Sequence, residues 1–137
     1  RVLQPGARIH GIEVMNASLW LHPACPGIMA YWDAYNRLQV ELGGDPCVGA
    51  KLGSLLSRAG FARIEVRPHT YLFDQREPAA LAAMLDYWES LLLSAGPRLP
   101  ADGDAAARLR VEFAALKADP DAVFYYSPFK FSAAAGA

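Results

Sequence analysis

The chain has 137 residues, enough for about one domain with a sizeable core. Hydrophobic residues make up 53% and charged residues 20%, a balance that excludes intrinsic disorder. Thirteen Lys and Arg against fourteen Asp and Glu give a net charge of -1, with no basic run, so nucleic acid and anionic membrane are not expected partners.

Apolar stretches are broken by charges well before the roughly 20 residues that a bilayer span requires. The first residues lack the charged-then-apolar layout of a signal peptide. Cys25 and Cys47 stand far apart, without C-x-x-C spacing or a matching His cluster, so neither a disulfide framework nor a zinc site is signalled. They are read as reduced thiols of a cytoplasmic protein.

Taken in chain order, Ala7 to Val14 is a short apolar run behind the turn residues Pro5 and Gly6, which suits a buried strand. The following MNASLWLHPACPG has Pro and Gly that forbid a long regular element, so it reads as a loop carrying Leu19, Trp20 and Leu21. From Ile28 to Leu42, apolar residues including Tyr31, Trp32 and Tyr35 recur at helical spacing, and Gly43-Gly44 stops the helix. Val48, Leu52, Leu55, Leu56 and Ala59 form a second helical stripe, with Gly60 placed for a left-handed cap. Ile64 and Val66 then alternate with Arg63, Glu65 and Arg67, as in a strand with one wet face.

Pro78 opens a third helix with a stripe of Leu81, Met84, Leu85, Trp88, Leu91 and Leu92. Asp102 or Asp104 is placed to cap a fourth helix, whose buried face is Leu109, Phe113 and Leu116. The closing AVFYYSPFKFSAAA has strand preference but is interrupted by Pro128, which predicts a terminal strand at an edge or broken by a bulge. No internal repeat or low-complexity tract is present.

Two of these segments carry a resemblance. VLQPGARIHGIEV is similar to the "L-x-P-G-G, then strand" segment of class I S-adenosylmethionine-dependent methyltransferases. GGDPCVGAKLGSLLSRAGFARIEV resembles the later "G-G-D-P-x-x-G, L-x-x-L-L-x-x-A-G-F, strand" segment of their bacterial small-molecule branch. The resemblance covers nearly all of the chain but only the second half of the family's domain. It implies an α/β fold, the C-terminal half of a Rossmann-like methyltransferase fold with about three strands and four helices, the N-terminal cofactor-binding half being absent. No G-x-G-x-G turn between a strand and a helix stands in this sequence, and the chain begins at Arg1 rather than methionine. Both suggest a piece of something longer. The expected organisation is a single or partial domain over 1–137, with a lid-like insertion at 15–47, a helix-strand unit at 48–74, a helical pair at 75–119 and a terminal strand at 120–137.

By resemblance these residues shape the pocket of a small-molecule methyl acceptor. Glu13 and Asn16 are placed at the carboxyl end of a strand, where open α/β sheets bind ligands. Trp20, Tyr31, Trp32 and Tyr35 are expected to line the pocket, with His22 as a base toward a hydroxyl acceptor. S-adenosylmethionine is the cofactor of the complete protein, and none is expected for this chain alone. A homodimer, or association with a cofactor-binding N-terminal half, is the expected assembly, because the first strand lacks its neighbour.

Each residue also has a plain structural reading. Glu13 can cap a helix or pair with an arginine, His22 can face solvent, and Trp32, Tyr35 and Trp88 can be ordinary core. Tyr125 and Tyr126 point opposite ways on a strand, so at most one faces a pocket. The alternative function is a stand-alone small-molecule binding or non-catalytic association module derived from the same fold.

Overall fold

The computed structural model describes residues 3–99 and 104–136. In chain order the elements are β1 (Arg8–Glu13), a 3-10 turn (Asn16–Ser18), β2 (Trp20–His22), α1 (Pro26–Glu41), α2 (Val48–Arg58), β3 (Phe61–Pro68), β4 (Tyr71–Asp74), α3 (Pro78–Ala95), α4 (Ala105–Ala118), β5 (Val123–Tyr126) and β6 (Phe129–Ala135). The class is mixed α/β, as expected. Among the described residues six strands form two three-stranded antiparallel sheets, where about three strands were expected. The chain divides into two compact units, each assembled from separated segments.

The first unit holds residues 1–19, 46–70 and 126–137. Its sheet has the order β1-β6-β3, and β6 runs antiparallel to both neighbours, so β1 and β3 are parallel to each other. Parallel strands cannot be joined by a tight hairpin. Helix α2, immediately before β3 in the chain, packs on the sheet. Leu52, Leu56 and Ala133 are its buried centre, with Ile9, Phe61, Ile64, Val66, Phe129 and Phe131 against them. Each buried leucine contributes about 1.5 to 3 kcal/mol of transfer free energy. The opposite face of the sheet carries Glu65 and Arg67, the predicted wet side. Gly60, at φ 81°, ends α2 in the predicted left-handed cap.

Two strand expectations are corrected. β1 is paired on one side only, as the missing neighbour implies, but it is exposed rather than buried, with Ile12 44% exposed. The closing strand is split at Pro128, which has no N–H for a ladder, and its pieces enter different sheets as the central strand of each. Leu55, placed in the buried stripe of α2, is instead partly exposed.

The second unit holds residues 20–45 and 71–125. Helices α1, α3 and α4 pack pairwise, burying Ile28, Leu85, Leu92, Leu109, Phe113 and Leu116. Pro78 stands in the first turn of α3, where its missing N–H leaves no bond unmade. Asp104 occupies the position before α4 but makes no side-chain cap bond; Asp102, the other predicted cap, lies outside the described residues. A small sheet of order β2-β5-β4 covers the helices' inner side through Leu21 and Phe124, which are cross-strand partners and both buried. Trp20 and His22 thus belong to a strand rather than to the expected loop. β4 has no counterpart among the predicted elements. Of the segments read from the sequence, the helical pair at 75–119 and residues 20–45 of the lid-like segment belong to this unit, the helix-strand unit belongs to the first up to residue 70, and the terminal segment at 120–137 is divided after residue 125.

Candidate functional site

The carboxyl end of β1 in the first unit is built by close backbone approach. The Gly49 N–H donates to the Val14 carbonyl at 2.9 Å, and the Asn16 N–H donates to the Pro46 carbonyl at 2.8 Å. A Cβ at Gly49 would lie 2.8 Å from both the Glu13 and the Val14 carbonyl oxygens. The last glycine of GGDPCVG is therefore required where the first turn of α2 meets the strand end. Glu13 is half-buried there.

Asn16 is enclosed instead of being presented to a ligand. It is 2% exposed, and its Oδ1 accepts a bond from the Tyr126 hydroxyl at 3.0 Å. Ser18, which sequence reasoning did not single out, donates through its hydroxyl to the Met15 carbonyl at 2.6 Å and accepts from the Ser127 N–H at 2.9 Å. These bonds stitch the turn after β1 to the junction between β5 and β6. Buried polar groups satisfied in this way are structural, because breaking one leaves its partner without water or a substitute.

In the second unit, the aromatic face of α1 is core. Trp32 is 3% exposed and stacks on Tyr35 with centroids 5.3 Å apart and planes at 7°. It also meets Trp88 at 4.7 Å, and Trp88 meets Phe124 at 5.4 Å. Tyr31 is buried too. Burial pushes the Tyr31 phenol above its ordinary range, with Arg110 opposing; burial and then Tyr87 raise that of Tyr35. Both are hydrogen-bond donors at neutral pH. Glu112, again without a signal in the sequence reading, accepts from the Gly27 and Ile28 N–H groups at 2.9 and 2.8 Å. A carboxylate on these otherwise unpaired donors also complements the helix dipole, and it ties α1 to α4.

Trp20 and His22 are the solvent-facing pair of the expected set. Trp20 is 53% exposed, and the two rings stack at 5.9 Å with planes at 13°. Their cross-strand partners are Tyr125 and Val123. Tyr125 and Tyr126 alternate as expected, the first opposite Trp20 and the second bonded to Asn16. Of the predicted site residues, Trp20 joins His22 and Trp32 joins Tyr35, whereas Glu13 and Asn16 belong to the first unit.

Among the described residues no group of three or more His, Cys, Asp or Glu side chains is arranged to hold a metal ion, and no helix is long and apolar enough to cross a membrane. Neither Cys25 nor Cys47 is in a disulfide, and burial, followed by Glu112 and Asp119, pushes the Cys25 thiol up, so it stays protonated and weakly nucleophilic at neutral pH. A scan against protein-family models matches none, and no curated protein matches the sequence.

Proposed function

We infer that these residues are the acceptor-side portion of an S-adenosylmethionine-dependent methyltransferase for a small organic molecule. The observation that carries this reading is the meeting of the two segments on which the resemblance rests. The strand behind Pro5-Gly6, ending at Val14, and the GGDPCVG turn, beginning at Gly43, are joined at one strand end by the Gly49–Val14 and Asn16–Pro46 bonds. Carboxyl ends of strands are where open α/β sheets hold ligands. A sheet whose first strand, β1, has an open edge is also compatible with further strands beyond it.

Within this reading Trp20 and His22 are the acceptor-facing candidates of the second unit, because they retain exposed surface, while Tyr31 and Trp32 are interior residues of the same unit; the partly exposed Glu13 is a separate candidate in the first. Transfer from a sulfonium needs alignment and exclusion of water more than acid-base chemistry, since the leaving group is already cationic. His22 would accept a proton from a hydroxyl acceptor. The residues present do not fit the cofactor itself: of the two groups nearest its reactive end by resemblance, Asn16 has its amide oxygen committed to Tyr126.

Calorimetric titration of the 137-residue chain with S-adenosylmethionine tests this. We expect no binding at micromolar concentration, and recovery when a cofactor-binding amino-terminal half is supplied in trans. Tight one-to-one binding by the chain alone would falsify the reading. The enclosure of Tyr31 and Trp32 as ordinary core favours a second reading, a non-catalytic association module. That reading expects no recovery with the added half.

A further inference from the structure

The geometry points to a second site, a shallow anion-binding concavity on the solvent face of the β1-β6-β3 sheet that takes a phosphate monoester carried on an apolar group. It stands apart from the methyl-transfer reading and does not depend on it.

The strand register sets the chemistry. Arg67 lies opposite Lys130, which lies opposite Ile12; Glu65 lies opposite Ser132, which lies opposite His10. Directly opposed residues, and those two apart, share a face of a sheet. One face therefore gathers Arg8, His10, Arg67 and Lys130 against the single carboxylate of Glu65, in a chain whose net charge is -1. Glu13 alternates to the other face. Like charges directly across a ladder repel, so the Arg67–Lys130 pair is unfavourable until an anion lies between them.

The local acid does not meet that need. Glu65 reaches Arg67 only at 3.6 Å, with the side chains 63% and 78% exposed, and such a pair is readily displaced. Lys130 has no ion-pair partner among the described residues. The concavity these residues line has a volume of about 480 Å³, and Ile12, 44% exposed, gives it an apolar wall beside the Lys130 ammonium and the Ser132 hydroxyl. That volume is in the range of small-molecule sites, roughly 300 to 1,000 Å³. A guanidinium fork, an ammonium and a hydroxyl suit the oxygens of a phosphate, and the apolar wall suits its substituent.

The test is a nuclear magnetic resonance titration of the whole chain at low ionic strength with phenyl phosphate, and in a parallel arm with inorganic phosphate. Saturable shifts centred on β1, β3 and β6 are expected, with phenyl phosphate the tighter ligand. Lys130→Gln and Arg67→Gln are each expected to weaken it about tenfold. Glu65→Gln is expected to tighten it several-fold, whereas Glu41→Gln on α1, which changes the net charge equally, leaves it unaltered. All four positions are exposed, and circular dichroism confirms that each variant keeps its fold. Equal affinity for the two phosphates, a linear response without saturation, or equal effects of Glu65→Gln and Glu41→Gln would each overturn the proposal.

Discussion

Gly49 meets backbone rather than a movable side chain, so the residue has little freedom to grow. An added methyl group would press on two carbonyl oxygens at 2.8 Å, so Gly49→Ala must lift α2 from the end of β1. A loss of about 1 to 3 kcal/mol is expected, read as a lower denaturant midpoint. Gly53, on the same helix, is the control: its Cβ would find only a Val66 methyl at 4.0 Å, and alanine there should be neutral or stabilise the helix by about 0.5 to 1 kcal/mol. Equal losses at the two positions would refute the close-approach argument. Trp32 belongs to the same scale of reasoning. Enclosed between Tyr35 and Trp88, it should lose about 3 to 5 kcal/mol of stability on truncation to alanine. Trp20→Ala, at a half-exposed ring, should change stability by less than about 1 kcal/mol. Thermal melts of both variants separate core from surface, and the reverse order would restore Trp32 as a pocket residue.

Helix α1 begins without a Ser, Thr, Asp or Asn cap; Cys25 stands at that position and makes no capping bond. Glu112, reaching across from α4, supplies what local sequence does not. Glu112→Ala should therefore cost about 1 to 2 kcal/mol and raise amide exchange in the first turn of α1 before the rest of that helix. Uniform exchange along α1 would count against a cap held by tertiary structure. This also marks the limit of legibility. The four helices follow from spacing, Pro78 and Gly60, because helical periodicity and stop signals are local. Glu112 sits 85 residues from Gly27, and no pattern within either segment announces the pair. The strands were less legible for a related reason. β2 is three residues long and β4 four, too short to display alternation. Pro128 correctly marked a break in the last strand, but a break in one strand and a change of sheet look the same in sequence. The end of β1 falls where the sequence places it, whereas the burial of Asn16 depends on Tyr126, 110 residues away, and no local pattern announces it.

Over the whole molecule, the chain alternates between the two units in five segments, so neither unit is a contiguous stretch that could be excised. Their titration chemistry nevertheless differs. Cys25, Tyr31, Tyr35 and Lys117 all belong to the second unit, and all four hold their protons more firmly in the folded chain than in their ordinary state. For Cys25, Tyr31 and Tyr35 the leading cause is burial, which disfavours the thiolate and phenolate. For Lys117 burial works the other way but is outweighed by bonds to Asp86 at 2.5 Å and Glu89 at 2.7 Å. A raised folded-state pKa contributes stability that is complete below the unfolded value and is lost as pH rises through the folded one. The window therefore opens near the ordinary thiol, phenol and ammonium range, roughly pH 8.5 to 10.5, and extends above it. Within it the unfolded chain has released protons that the folded chain still holds, so stability falls with rising pH. All three tryptophans, Trp20, Trp32 and Trp88, also lie in the second unit, which makes their emission a reporter for it alone. Urea midpoints followed by tryptophan emission should be level from pH 7 to about pH 8.5 and then fall steadily toward pH 11. Lys117→Met should reduce the part of that fall that lies above the ordinary lysine range, leaving there the share of Tyr31 and Tyr35, and should leave the earlier part in place. A midpoint that stays level to pH 11, or that rises, would show that these four groups do not hold their protons in the folded state as the structure requires.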